Sequence, residues 1–155
     1  YHLGDFAFGS PQKMYEFRKS LVCKTIHLIK GNHDEIFDDF HEEKRQRLSF
    51  DPFELFASVR DTYTGYIGKN KFHLSHYAHR VWPSSHRGVI HLYGHSHGSI
   101  PDFGKSMDVG IDAHKEFRPF HINEILQLME KREKILNEFK KTLRLFLTTK
   151  ACPLS

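Results

Sequence analysis

Cysteine is nearly absent from this 155-residue chain: Cys23 and Cys152 stand far apart and without metal-ligand spacing. That argues against a disulfide framework or a zinc-thiolate site, and a reducing, cytoplasmic setting is expected. Long hydrophobic runs are missing as well. No stretch approaches the roughly 18 apolar residues of a membrane span and no signal peptide is visible, so no membrane partner is expected. Charge of one sign is nowhere concentrated, and the formal net charge of +4 is a mild basic excess that favours an anionic substrate without specifying nucleic acid. An initiating methionine is also lacking. The chain opens at Tyr1, already inside what reads as a strand, as expected of a fragment or a processed product.

What remains is the composition of one globular domain, 39% hydrophobic and 27% charged, with thirteen histidines. Tyr1-His2-Leu3 reads as a strand end turning at Gly4-Asp5, and Ser10-Pro11 as an N-cap followed by proline at the first helical position. The apolar run Thr25–Ile29 predicts a buried strand that turns at Gly31. A helix is expected from Asp34 to about Leu48, with Ile36, Phe37 and Phe40 on its buried face. Residues 63–67 and 71–75 predict a hairpin, 89–93 a buried strand, and 107–111 and 117–120 the last strands, the second at an edge because of Pro119. Asn123 is expected to cap a long helix over 123–147 that packs on the core, followed by a loose tail over 148–155.

One pattern recurs. Tyr1-His2-Leu3 leads to Asp5, Ile26-His27-Leu28 to Asn32 and His33, Phe72-His73-Leu74 to His76, and Ile90-His91-Leu92 to His95 and His97. Four strands each deliver a potential ligand a few residues after an apolar-His-Leu step, as strands of one sandwich ending at a common rim would. The histidines inside those strands, His2, His27, His73 and His91, are read as structural or as supports behind the ligands, and not as ligands themselves. Asp5, Asn32, His76, His95 and His97 then form a mixed oxygen and nitrogen ligand set that suits Mn²⁺, Fe or Zn²⁺. The pair His95-x-His97 favours two metals, which leaves His33 free to act as general acid with Asp34 orienting its imidazole.

Gly4-Asp5, Gly31-Asn32-His33-Asp34, His76 and Gly94-His95-Ser96-His97 resemble, in order, the motifs of the calcineurin-like metallophosphoesterase superfamily. The resemblance covers residues 1–122, and the segments 107–112 and 117–119 are similar to the close of small bacterial and phage members. It implies an α/β fold of two mixed β-sheets packed as a sandwich with flanking helices. It also implies two divalent ions, Mn²⁺ foremost, with Asp5 bridging them, Asn32, His76 and His95 completing one shell, and His97 serving the other. His33 would contact the phosphoryl group and assist the leaving oxygen. The family's opening Asp-x-His motif has no counterpart before Asp5, so the first strand is expected to be missing and the second metal site incomplete. Asp112-Ala113-His114 has the spelling but follows the last motif, and is not expected to replace it.

The expected function is hydrolysis of a phosphate mono- or diester by a metal-bound hydroxide at a dinuclear centre. Arg80, His86 and Arg87, in the loop after His76, are candidate substrate contacts. The alternative is a phosphoesterase fold kept as a binding or scaffold module with its chemistry impaired. Expected partners are a phosphate ester, with a nucleotide or nucleic acid only in that capacity, and a second copy of the chain in a homodimer.

Overall fold

A computed structural model describes residues 1–149, without the side chains of 145–149. Phe146 as an apolar position, Cys152, and residues 150–155 of the expected tail lie outside the described residues. The chain divides into two compact units, Tyr1–Pro119 and a second beginning at Phe120.

The first unit is α/β with two sheets. Ser10 caps α1 (Pro11–Ser20) by accepting the Lys13 N–H at 3.3 Å, with proline at the first helical position as expected. Strand β1 (His27–Ile29) pairs in parallel with β2 (Ser58–Arg60), a strand too short and polar to stand out in the sequence. Tyr1-His2-Leu3 contributes only a bridge, closed by His2 N–H to the His27 carbonyl and Ile29 N–H to the His2 carbonyl, both 2.8 Å. The second sheet runs β3 (Thr62–Ile67), β4 (Asn70–Ser75), β5 (Ile90–Tyr93), β6 (Ser106–Asp108), with the expected β3–β4 hairpin antiparallel and the other pairs parallel. Only this sheet is mixed; the expectation of two mixed sheets is corrected to one mixed sheet and one parallel pair.

Three further expectations change. Residues 34–48 form two 3₁₀ turns, Glu35–Phe37 and Asp39–His41, and the short helix α2 (Glu42–Gln46) in place of one helix. The apolar stripe fails at Phe40, which is 78% exposed, so a continuous helix would have had no face to bury there. The segment 117–120 is not a strand: Phe117 adopts a left-handed φ of 49°, incompatible with extended pairing. Ile111 likewise leaves the extended run and opens a 3₁₀ turn, Ile111–Ala113.

The core joins the apolar residues of β1 to the loops around it. Leu28 is fully buried among Phe6, Met14, Ile26, Phe37 and Phe56, and Phe6 meets Phe56 edge to face at 4.8 Å. All four residues of β5 are buried, His91 among them, as in a strand covered on both faces. Trp82 packs inside and donates its indole N–H to the Val89 carbonyl at 2.8 Å.

The second unit is α3 (Ile122–Thr149). It starts one residue earlier than expected. His121, not Asn123, caps it: its ring Nδ1 accepts from Asn123 N–H at 3.3 Å, and its own N–H donates to Glu124 Oε2 at 2.7 Å, the reciprocal pattern of a capping box. Ile135, Leu136, Phe139 and Leu143 are exposed. No helix among the described residues is long and apolar enough to cross a membrane.

Leu28→Ala should lower unfolding free energy by about 2–5 kcal/mol in urea titration, whereas Phe40→Ser should stay within about 0.5 kcal/mol. Equal losses would mean the core is misassigned.

Candidate metal centre

Four atoms from four loops meet at His76. Its ring is 3% exposed, and Nδ1–H donates to the Leu3 carbonyl at 2.7 Å. That bond fixes the tautomer, leaving a lone pair on Nε2. Nε2 faces Asn32 Oδ1 at 3.0 Å, His95 Nδ1 at 3.1 Å and Asp5 Oδ2 at 3.5 Å. Nε2, Asn32 Oδ1 and the Asp5 carboxylate oxygen are all acceptors. Lone pairs aimed at one point repel unless a positive hydrogen or a cation stands among them: an N–H on His95 Nδ1, a proton on Nε2 or a metal ion. Neutral nitrogen, amide oxygen and carboxylate together are a donor set for a borderline divalent ion, so the residues fit a metal; Asp5, His76 and His95 lie close enough to share one.

The backbone is bent to make this meeting. Gly4 has φ 99° and Asp5 φ 53°, so the chain after Leu3 turns sharply and aims the Asp5 carboxylate inward. A Cβ on Gly31 would collide with the Asp5 carboxylate and backbone and with the His76 ring. His95 sits at φ 63° in a three-residue turn closed by Ser96 N–H to the Gly94 carbonyl at 2.6 Å, and Gly94 N–H in turn reaches the His76 carbonyl at 3.0 Å. The centre opens to solvent on the side of His95 and Asn32, both exposed, with the Tyr77 ring 4.7 Å from that of His95.

Asp34 does something other than expected. Its carboxylate is 3% exposed and accepts three backbone N–H groups: Asp5 at 2.7 Å, Gly31 at 2.8 Å and Phe6 at 3.0 Å. Both oxygens are engaged, so Asp34 ties the two ligand loops together and does not orient His33. His33 stands exposed at the rim; its backbone N–H donates to Asp5 Oδ1 at 2.9 Å, and its ring lies 4.7 Å from that of Phe8. Phe8 was not singled out in the sequence, since an aromatic in a loop carries no signal of its own.

His97 is not gathered with the four. It also has a left-handed φ, 49°, and its Nδ1–H donates to Asp112 Oδ2, which holds its pKa above the ordinary imidazole value and that of Asp112 below the usual carboxylate range. Nε2 takes no hydrogen bond among the described residues. Its loop is held by a second buried carboxylate, Asp108, which accepts from Gly98 N–H at 3.0 Å and Gly110 N–H at 2.8 Å. Arg80, His86 and Arg87 are exposed, the last two in a 3₁₀ turn, Ser85–Arg87, and among the described residues none bonds to the cluster. Comparison with protein-family models, with curated proteins and with solved structures returned no match to this chain.

Asp34→Ala should strand three backbone donors and destabilise the fold by about 3 kcal/mol or more, with a loss of metal affinity of roughly 10–100-fold although Asp34 is no ligand; unchanged affinity by calorimetry would contradict the clamp. The His97–Asp112 pair should be intact only between two limits. A raised His97 pKa makes its contribution full below about pH 6.5 and lost as pH rises through the higher folded value. A depressed Asp112 pKa makes its contribution present above about pH 4 and lost as pH falls through the lower one. NMR titration of His97 should move to the ordinary value in Asp112→Asn, while global stability changes little because the imidazole is 77% exposed.

Proposed function

We propose that the chain is the core of a metal-dependent phosphoesterase of the calcineurin-like kind, hydrolysing a phosphate mono- or diester. One observation carries the reading: the convergence of Asp5, Asn32, His76 and His95 on one point, with His33 held beside it by the same Asp5 carboxylate. A divalent ion there, Mn²⁺ by preference with Fe or Zn²⁺ as alternatives, would supply Lewis acidity, activating water and neutralising phosphoryl charge. His97, with Nε2 free, stands as the ligand for a second ion.

The protein's own groups then divide the work. His76 is held with Nε2 inward by the Leu3 carbonyl, so its neutral form presents that nitrogen as a ligand. Asp5 uses one oxygen to position the His33 backbone and keeps the other for the cation. His33, exposed on the Phe8 side, donates its proton to the departing ester oxygen, which has to leave protonated at neutral pH. Solvent access at His95 and Asn32 gives the phosphate a path inward. The mild net charge of +4 favours the approach of an anion.

A second reading, a binding module of the same fold with impaired chemistry, draws on the position of His97, tied to Asp112 apart from the other four.

Metal content and turnover separate the two. With Mn²⁺ present, p-nitrophenyl phosphate or bis-p-nitrophenyl phosphate should be hydrolysed, and His33→Ala should lower kcat by about 100-fold or more with metal content unchanged. His76→Ala should lose the metal itself. Binding of metal without turnover of either ester would favour the module.

A further inference from the structure

A second group of histidines lies behind the first. His73 on β4 and His91 on β5 face each other across a parallel pair, and His79 returns from the loop after β4 to meet both. We propose that His73, His79 and His91 form a separate metal site, binding a late first-row divalent ion such as Zn²⁺ through three imidazole nitrogens.

The spacing is that of a shared ion. Two imidazoles on one tetrahedral zinc, with Zn–N bonds of about 2.0–2.1 Å, place their nitrogens roughly 3.3 Å apart and their ring centres about 5 Å apart. Here His73 Nε2 and His79 Nδ1 are 3.1 Å apart, and the three ring-centre separations are 5.2, 5.3 and 5.4 Å. One nitrogen from each ring falls within 4.8 Å of the others. Packing alone does not call for three imidazoles at a single point.

The surroundings favour a neutral-nitrogen site. Among the described residues no carboxylate bonds to any of the three rings; His73 Nε2 and His79 Nδ1 bond to each other, and the remaining partners are hydroxyls, Thr64 on His73, and Ser75 and Ser106 on His91. An all-imidazole set selects Zn²⁺, Cu²⁺, Ni²⁺ or Co²⁺ over Mg²⁺ or Mn²⁺. His73 and His91 are buried and His79 partly exposed, which gives the ion one door. Binding asks the third ligand, His91, to release one of its serine partners. Each is a neutral hydrogen bond, a small loss beside a metal–imidazole bond.

The single tryptophan supplies a local reporter. Trp82 is buried with its ring 5.1 Å from that of His91, so a paramagnetic ion in this site quenches its emission. The experiment titrates Zn²⁺ and Co²⁺ into the chain and into His79→Ala and His95→Ala, reading stoichiometry by native mass spectrometry and Trp82 fluorescence with Co²⁺. His79→Ala should bind one ion fewer than its parent and lose the Co²⁺ quenching. His95→Ala should keep the quenching, whatever becomes of the proposed catalytic centre. In the unsubstituted chain, Zn²⁺ should shift the ¹⁵N imidazole signals of His73, His79 and His91 together, a readout that does not depend on how the variants fold. Equal stoichiometry and equal quenching in His79→Ala, or imidazole signals that stay still with Zn²⁺ in excess, would overturn the site.

Discussion

The buried carboxylate of Asp34 is the constraint from which the proposed centre follows. Three backbone N–H groups from two separate loops converge on it, and hydrogen bonds to an ionised acceptor are roughly twice as strong as neutral ones. Together with the His33 N–H bond to Asp5 Oδ1 and the His2 bridge, it ties Gly4-Asp5 to Gly31-Asn32. With it they face each other across a gap so narrow that only glycine fits at Gly31. Asp108 repeats the device for the turn after His97, bonding Gly98 and Gly110. Acidic residues in this site therefore have two separable uses. Asp5 turns one oxygen toward the His76 ring, while Asp34 and Asp108 shape main chain.

Parallel pairing supplies the second dimension. The register sets His73 against His91 and Leu74 against Leu92, and the Gly94 N–H bond to the His76 carbonyl carries the pairing past the strand ends. His95 thus lies one residue beyond the position opposite His76. The tight turn at His95 absorbs that surplus residue and returns its ring to the His76 imidazole, at the cost of a left-handed backbone on a residue with a Cβ. Two strands deliver two tiers of histidine in this way, one inside the sheet and one at its rim.

Much of this was legible in the sequence where a residue type admits few uses. The Ser10-Pro11 cap, the hairpin and the run at β5 follow from local chemistry and proved so. Asp5, Asn32, His76 and His95 could be grouped because each follows a strand. What escaped depends on the third dimension. Asp34 beside His33 suggests an orienting carboxylate in one dimension, yet three donors from 3 to 29 residues away claim it. The in-strand histidines read as structural because nothing linear relates His73 to His79 and His91. Helical spacing at 34–48 was misleading because Phe40 faces solvent, and the strand β2 and the cap of α3 lay in residues, Ser58–Arg60 and His121, that carry no strong propensity of their own.

The bond from His76 Nδ1–H to the Leu3 carbonyl has a genetic corollary. The group that dictates which imidazole nitrogen is bare belongs to the main chain, and every residue that could occupy position 3 brings the same oxygen. The instruction is thus invisible to side-chain replacement at its own address. It is exposed instead at Gly4, where any side chain would strike the His76 ring, so the codon that guards the tautomer is the neighbour of the one that writes it.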